Sequence, residues 1–177
     1  MSDALQALYA GERARAVRLL ADDDELSIFD AAAFGKTDRL RQILEEDLAQ
    51  ARAFSQDGFT ALHLAIFGHQ ESAALLLIEQ GADLDALSTG EIARVPPLGT
   101  AVFVRSAPLA RLLLDAGADV NGRFADGSVA LHSAAISGDE ELIGLLLQRG
   151  ADRSITNRRG DRAYDVAKDD HTRSLLA

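Results

Sequence analysis

Residues 57–85 read DGFTALHLAIFGHQESAALLLIEQGADLD, and a close copy, DGSVALHSAAISGDEELIGLLLQRGADRS, occupies residues 126–154. Across that 69-residue offset Asp57, Gly58, Leu62, His63, Leu77 and Gly81 fall on Asp126, Gly127, Leu131, His132, Leu146 and Gly150. A further copy divides the interval, because Gly117 stands 36 residues after Gly81 and 33 before Gly150. Each copy holds two short segments of helical apolar spacing and a Gly/Asp-rich joint, too little to bury its own apolar side. A recurrence of this length predicts stacked copies that share one continuous core.

The ordered pieces TALHLA (residues 60–65), Gly68-His69, LLLI (residues 75–78) and Gly81-Ala82-Asp83 resemble the ankyrin repeat. That resemblance implies an all-α solenoid of about six helix-turn-helix units joined by hairpin loops, with degenerate caps at both ends. The expected organisation is one repeat domain over residues 1–177. It has an N-terminal cap at 1–23, repeats at 24–56, 57–92, 93–125 and 126–158, and a C-terminal cap at 159–177.

Working outward, the copies become less regular. In residues 24–56 SIFDAA replaces TALHLA, Asp30 takes the histidine position, and Leu48-Ala49-Gln50 stands where Gly-Ala-Asp is expected. Residues 93–125 begin with Pro96-Pro97, suited to a first helical turn where a missing N–H costs nothing, and carry Gly99 at the histidine position. Ser106-Ala107-Pro108 reads as a capped start for the second helix. The hairpin across residues 87–95 is three residues longer than its counterpart, either a neutral insertion or a recognition finger. Residues 4–22 look like a shortened helix pair, with a 24-residue offset matching Leu5 to Phe29, Leu19 to Ile43 and Leu20 to Leu44. The acidic run Asp22-Asp23-Asp24-Glu25 fits a helix start. At the other end RAYDVA (residues 162–167) stands where a first helix is expected.

The chain has 177 residues, a formal charge of −10 and no cysteine. Its apolar runs are far shorter than the ~20 residues needed to span a bilayer, and no basic-then-apolar leader opens it. These features predict a cytoplasmic protein with no membrane role. Excess negative charge argues against nucleic acid as a partner.

Histidines 63 and 132 recur in register, which argues for structure rather than catalysis or metal binding. In the resembling family this imidazole bridges backbone groups of adjacent hairpins. Phe34-Gly35-Lys36-Thr37 looks like the tail of a phosphate loop, but Asp30 occupies the position where that loop needs glycine. No catalytic residues, metal ligands or cofactors are expected, so the chain reads as a non-enzyme.

What remains is surface. Phe34, Phe67, Phe103 and Ile136 share one position near the end of each first helix, at steps of 33, 36 and 33. The hairpins add Phe54, Phe59, Leu87 and Phe124. Proteins of the resembling family hold partners against the concave side formed by hairpin tips and first helices. The candidate protein-binding residues are therefore Phe34, Phe59, Phe67, Phe103, Phe124 and Ile136, with Arg158 and Arg159 from the basic last hairpin. The rings either form an exposed ladder or fold down between helices and hairpins. The expected role is a protein–protein interaction module, an adaptor or a regulatory or inhibitory subunit, acting as a monomer. A self-assembling scaffold, with the ladder as a homodimer face, is the alternative; a nucleotide-binding enzyme is least favoured.

Overall fold

The computed structural model describes residues 1–20, 25–90 and 94–177. The acidic residues Asp22, Asp23 and Asp24, and residues 91–93 of the long hairpin, lie outside the described residues. Among the described residues the secondary structure is helical: eleven α-helices of six to ten residues, with isolated β-bridges only at two hairpins. Six of these helices start on a side-chain cap and three of the second helices stop on a left-handed glycine. Side chains of Ser2, Ser27, Thr60, Ser106, Asp139 and Asp169 accept from backbone N–H groups three residues on, satisfying donors with no partner inside the helix. Second helices end on Gly81, Gly117 and Gly150, all with left-handed φ. The chain divides into two compact units, Met1–Asp83 with Ser88–Ile92, and Leu84–Leu87 with Ala93–Ala177.

The first unit holds α1 (Asp3–Tyr9), α2 (Arg13–Arg18), α3 (Ile28–Ala33), α4 (Thr37–Glu46), α5 (Ala61–Phe67) and α6 (Glu71–Glu79). α3 packs on α5, and α4 on α6. Leu40, Ile43, Leu44, Leu62, Leu64, Ile66 and Leu77 form its core, with alanines 31, 32, 33, 61 and 65 where first helices meet. The approach is closest at Gly68, where a Cβ would lie 1.9 Å from the Ala33 carbonyl oxygen. Gly68 has an ordinary helical φ of −76°, and the left-handed turn residue is His69, φ +57°. The Gly-His pair thus sits one residue out of family register: His69 matches Gly138, and Phe67 stays in line with Ile136. Where Gly-Ala-Asp is missing, Leu48–Arg52 forms a 3-10 turn.

The N-terminal pair buries less than the offset predicts. Leu19, matched to Ile43, is 40% exposed against 5% for Ile43. The cause is that α2 ends at Arg18 and buries only Ala16.

The second unit holds α7 (Pro97–Phe103), α8 (Ala107–Asp115), α9 (Ala130–Ser137), α10 (Glu140–Gln148) and α11 (Asp170–Leu176). α7 packs on α9, α8 on α10, and α10 on α11, around Leu98, Leu109, Leu113, Leu131, Leu142, Ile143 and Leu146. RAYDVA forms a turn instead of a helix. The Asp165 carboxylate captures both the Arg162 backbone N–H (2.9 Å) and its guanidinium (3.0 Å). Such local capture competes with helical hydrogen bonding. The described residues therefore contain five helix pairs and a terminal unit with one helix.

Candidate functional site

The hairpins are built alike and tied to one another by main-chain bonds. In the first unit the Thr89 N–H donates to Gly58 O (2.8 Å); in the second, Ala125 donates to Arg94 O (2.9 Å) and Arg158 to Asp126 O (3.0 Å). Gly58 is needed twice, for its φ of +83° and because a Cβ would lie 2.3 Å from the Gly90 nitrogen.

The recurring histidines are buried parts of this frame. Nδ1 of His132 accepts from the Val129 N–H (3.3 Å), and Nε2 lies 3.0 Å from Asp161 O in the next hairpin. With Nδ1 an acceptor, Nε2 carries the proton and donates, so the imidazole bridges two hairpins as a neutral ring. His63 is fully buried and Nδ1 lies 2.8 Å from Thr60 Oγ1, within the cap of α5. At the same position Asp30 accepts from Ser27 Oγ (2.6 Å) and Ser2 Oγ, linking α3 to the start of α1. Gly99 has no side chain to offer, and the Phe124 ring stands over it: a Cβ on Gly99 would be 2.7 Å from Phe124 Cζ. Phe124 occupies the hairpin position held by Ser55 and Asn157, whose side chains accept hairpin N–H groups. Two departures from the repeat, a lost imidazole and a gained ring, thus compensate each other.

The four in-line apolar residues part company. Phe34 and Phe67 are half-buried and, with Phe59 and Tyr9, pack against Leu5, Leu8, Ala33 and Leu64. The Tyr9 ring meets Phe67 edge-on at 5.3 Å and Phe59 at 6.3 Å, and its hydroxyl donates to Asp57 Oδ2 at 2.5 Å. Burial, then the bond to Asp57 and the charges of Asp57 and Asp30, push the Tyr9 phenol well above its usual range. In the second unit Phe103 is 75% and Ile136 59% exposed, at the ends of the packed helices α7 and α9. Beside them Arg105 pairs with Asp139 (Nε–Oδ2 3.1 Å). Phe54 is exposed and Leu87 half-buried.

Tyr9 was missed in the sequence. Its signal was there: the 24-residue offset sets Tyr9 against Ala33, a large ring where the next copy has a methyl group.

Charge is also unevenly divided. The first unit's sequence carries sixteen acidic residues against seven basic, net −9; the second carries twelve against eleven, net −1. Around the last hairpin Arg162 is held by Asp165 and stacks over Tyr164 at 5.7 Å, and its guanidinium depresses the Asp165 carboxyl. Arg153, Arg158 and Arg159 are exposed, their guanidinium groups unpaired among the described residues. No group of three His, Asp or Glu side chains is gathered as a metal cage among the described residues. Nor is any helix there long and apolar enough to cross a membrane.

Comparison with known proteins agrees with this geometry. A family model described as "Ankyrin repeats (3 copies)" matches residues 2–88, and one described as "Ankyrin repeat" matches residues 126–158. The chain is 40% identical over 114 residues to the mouse B-cell lymphoma 3 protein homolog, covering 63% of this chain and 25% of that protein. It is 28% identical over 151 residues to the Caenorhabditis elegans homolog of transient receptor potential cation channel subfamily A member 1, covering 85% of this chain and 12% of that one. It thus spans a quarter or less of these relatives. The crystal structure of the ankyrin repeat domain of Bcl-3 superposes with a TM-score of 0.78 at 31% identity, over 98% of this chain and 78% of that one.

Proposed function

Because this chain belongs to the ankyrin repeat family, whose members are protein-interaction modules, we propose that it is a non-enzymatic adaptor or regulatory subunit. It holds a partner protein against the face made by first helices and hairpin tips. The observation that carries this reading is the exposure of Phe103 and Ile136, which hold one repeat position and stay uncovered among the described residues. Large apolar side chains side by side on an open face are the usual anchors of a protein interface. In the first unit Phe34, Phe59 and Phe67 belong to a packed cluster; in the second Phe124 fills the space over Gly99, and the exposed Arg158 and Arg159 of the last hairpin offer further contacts. A pre-ordered frame loses little entropy on docking. Action as a monomer in the cytoplasm, on one repeat domain spanning residues 1–177, completes the proposal.

The test is affinity capture from native lysate with the wild-type chain and with Phe103→Ala, both checked for equal thermal stability. Proteins held by the first and released by the second support the reading. An identical retained set from both variants contradicts it.

A further inference from the structure

We infer that the open face of the second unit seats a tyrosine carried on a helix of the partner. The ring lies against Phe103 and Ile136, and the hydroxyl donates to the Asp126 carboxylate. This rests on the protein-binding reading above and names the partner's chemistry.

The first unit supplies the template, because there the chain's own α1 fills such a seat. Tyr9 is the last residue of that helix, with Leu5 and Leu8 buried beside it. Its ring lies 5.3 Å from Phe67, in a cluster that Phe34 also joins, and its hydroxyl reaches Asp57 Oδ2 at 2.5 Å. One phenol side chain thus bridges the end of α5 and the hairpin that precedes it.

The second unit repeats the seat without the occupant. At the 69-residue offset Phe34, Phe67 and Asp57 fall on Phe103, Ile136 and Asp126. The packing of α3 on α5 recurs as α7 on α9. Both hairpins close on the same main-chain bonds. Ser55 donates to Phe59 O (2.8 Å) and Gly58 to Ser55 O (3.0 Å); Phe124 donates to Ser128 O (2.8 Å) and Gly127 to Phe124 O (3.0 Å). Gly58 and Gly127 share the left-handed conformation, φ +83° and +80°. The carboxylate therefore stands in the same relation to the end of the first helix in both units.

What the second seat lacks is the ring. Phe103 and Ile136 are exposed, and so is Asp126. Among the described residues the side chain of Asp126 accepts only from Ser128, its N–H at 2.9 Å and its hydroxyl at 3.0 Å. A carboxylate offers about four acceptor positions, so a phenol donor is readily taken up, and a bond to an ionised acceptor is stronger than a neutral one.

The differences between the seats refine the occupant. Ser128 and Ser133 stand where the first unit has Phe59 and Leu64, so the apolar wall is narrower and the hairpin side is polar. Phenylalanine would leave that side unmatched. Tyrosine, apolar in its ring and polar at its tip, matches both.

The experiment is selection of a phage-displayed random peptide library, long enough for a four-turn helix, on the immobilised full chain. Enriched peptides are synthesised, and their affinity for each variant is measured by fluorescence anisotropy. The expected peptides share a tyrosine with apolar residues one and four positions before it, the spacing of Leu8 and Leu5 to Tyr9. Their affinity falls roughly tenfold or more on Phe103→Ala. Replacing the peptide's tyrosine by phenylalanine weakens binding several-fold on the wild-type chain and leaves it unchanged on Asp126→Asn. The circular-dichroism melt of every variant is unchanged. Enriched peptides without a shared tyrosine, peptides that bind Phe103→Ala normally, or an equal phenylalanine penalty on wild type and Asp126→Asn overturn the inference. If no peptide is enriched while Phe103-dependent lysate proteins are still retained, the seated tyrosine fails and the protein-binding reading survives. If nothing binds in either assay, both fail.

Discussion

Phe67 and Phe103 occupy the same position in successive repeats, and their surroundings make them different kinds of residue. In the first unit Phe67 is held between Tyr9 and the α5 frame; in the second, Phe103 stands three-quarters exposed. Repeat register fixes where a side chain emerges. Whether it is core or surface depends on what the neighbouring segment brings, here one tyrosine from a cap that does not follow the repeat. Copies of a solenoid ordinarily touch only their neighbours; here the N-terminal helices reach past residues 24–56 to Asp57, Phe59 and Phe67 and change the role of the residues they meet.

The largest effect expected to probe this contrast is at the shared turn. Gly68→Ala forces a methyl group into the Ala33 carbonyl and should destabilise the protein by about 3 kcal/mol in urea denaturation. At the matching position of the second unit, Ser137→Ala should change stability by about 0.5 kcal/mol or less. Next, Phe67→Ala should cost about 2 kcal/mol, less than a fully buried ring because Phe67 is half-covered. Phe103→Ala should stay within about 0.5 kcal/mol of wild type. Equal costs at the two sites would erase the distinction.

Tyr9 gives a smaller effect with a pH signature. Its folded-state pKa is raised, so its contribution is complete below the unfolded phenol's value of about 10 and is lost as pH rises above it. Stability should therefore fall in alkali as the unfolded chain ionises. Tyr9→Phe should cost about 1 kcal/mol near neutrality and flatten that fall. Ultraviolet absorbance at the tyrosinate band, followed with the unfolding transition, checks both. The smallest effect concerns the turn itself: His69→Gly and Arg105→Gly, each relieving a positive φ, should add about 0.5 kcal/mol to Tm-derived stability.

The fold was legible because its signals are local and repeated. Capping Ser, Thr and Asp, the helix-ending glycines and the leucine spacing each act within a few residues, and the chain states them several times. What was not legible depends on contacts between copies. The exchange of Gly99 for Phe124 joins residues 25 apart, and each alone looks like a defect. Tyr9 reaches Asp57, 48 residues on, with no motif to announce it. The Gly68-His69 pair shows the reverse error: the letters match the family motif, yet a close carbonyl requires the glycine while the histidine takes the turn. Periodicity put Phe34, Phe67, Phe103 and Ile136 in one line but could not tell that the last two are exposed and the first two half-buried.

Because the chain lacks cysteine, one measurement addresses the contrast directly: the rate of thiol modification in Phe103→Cys and Phe67→Cys under native conditions. The account predicts a rate at 103 close to that of a free thiol and a rate at 67 slower by roughly tenfold or more, limited by local opening. Equal rates at the two positions would contradict it.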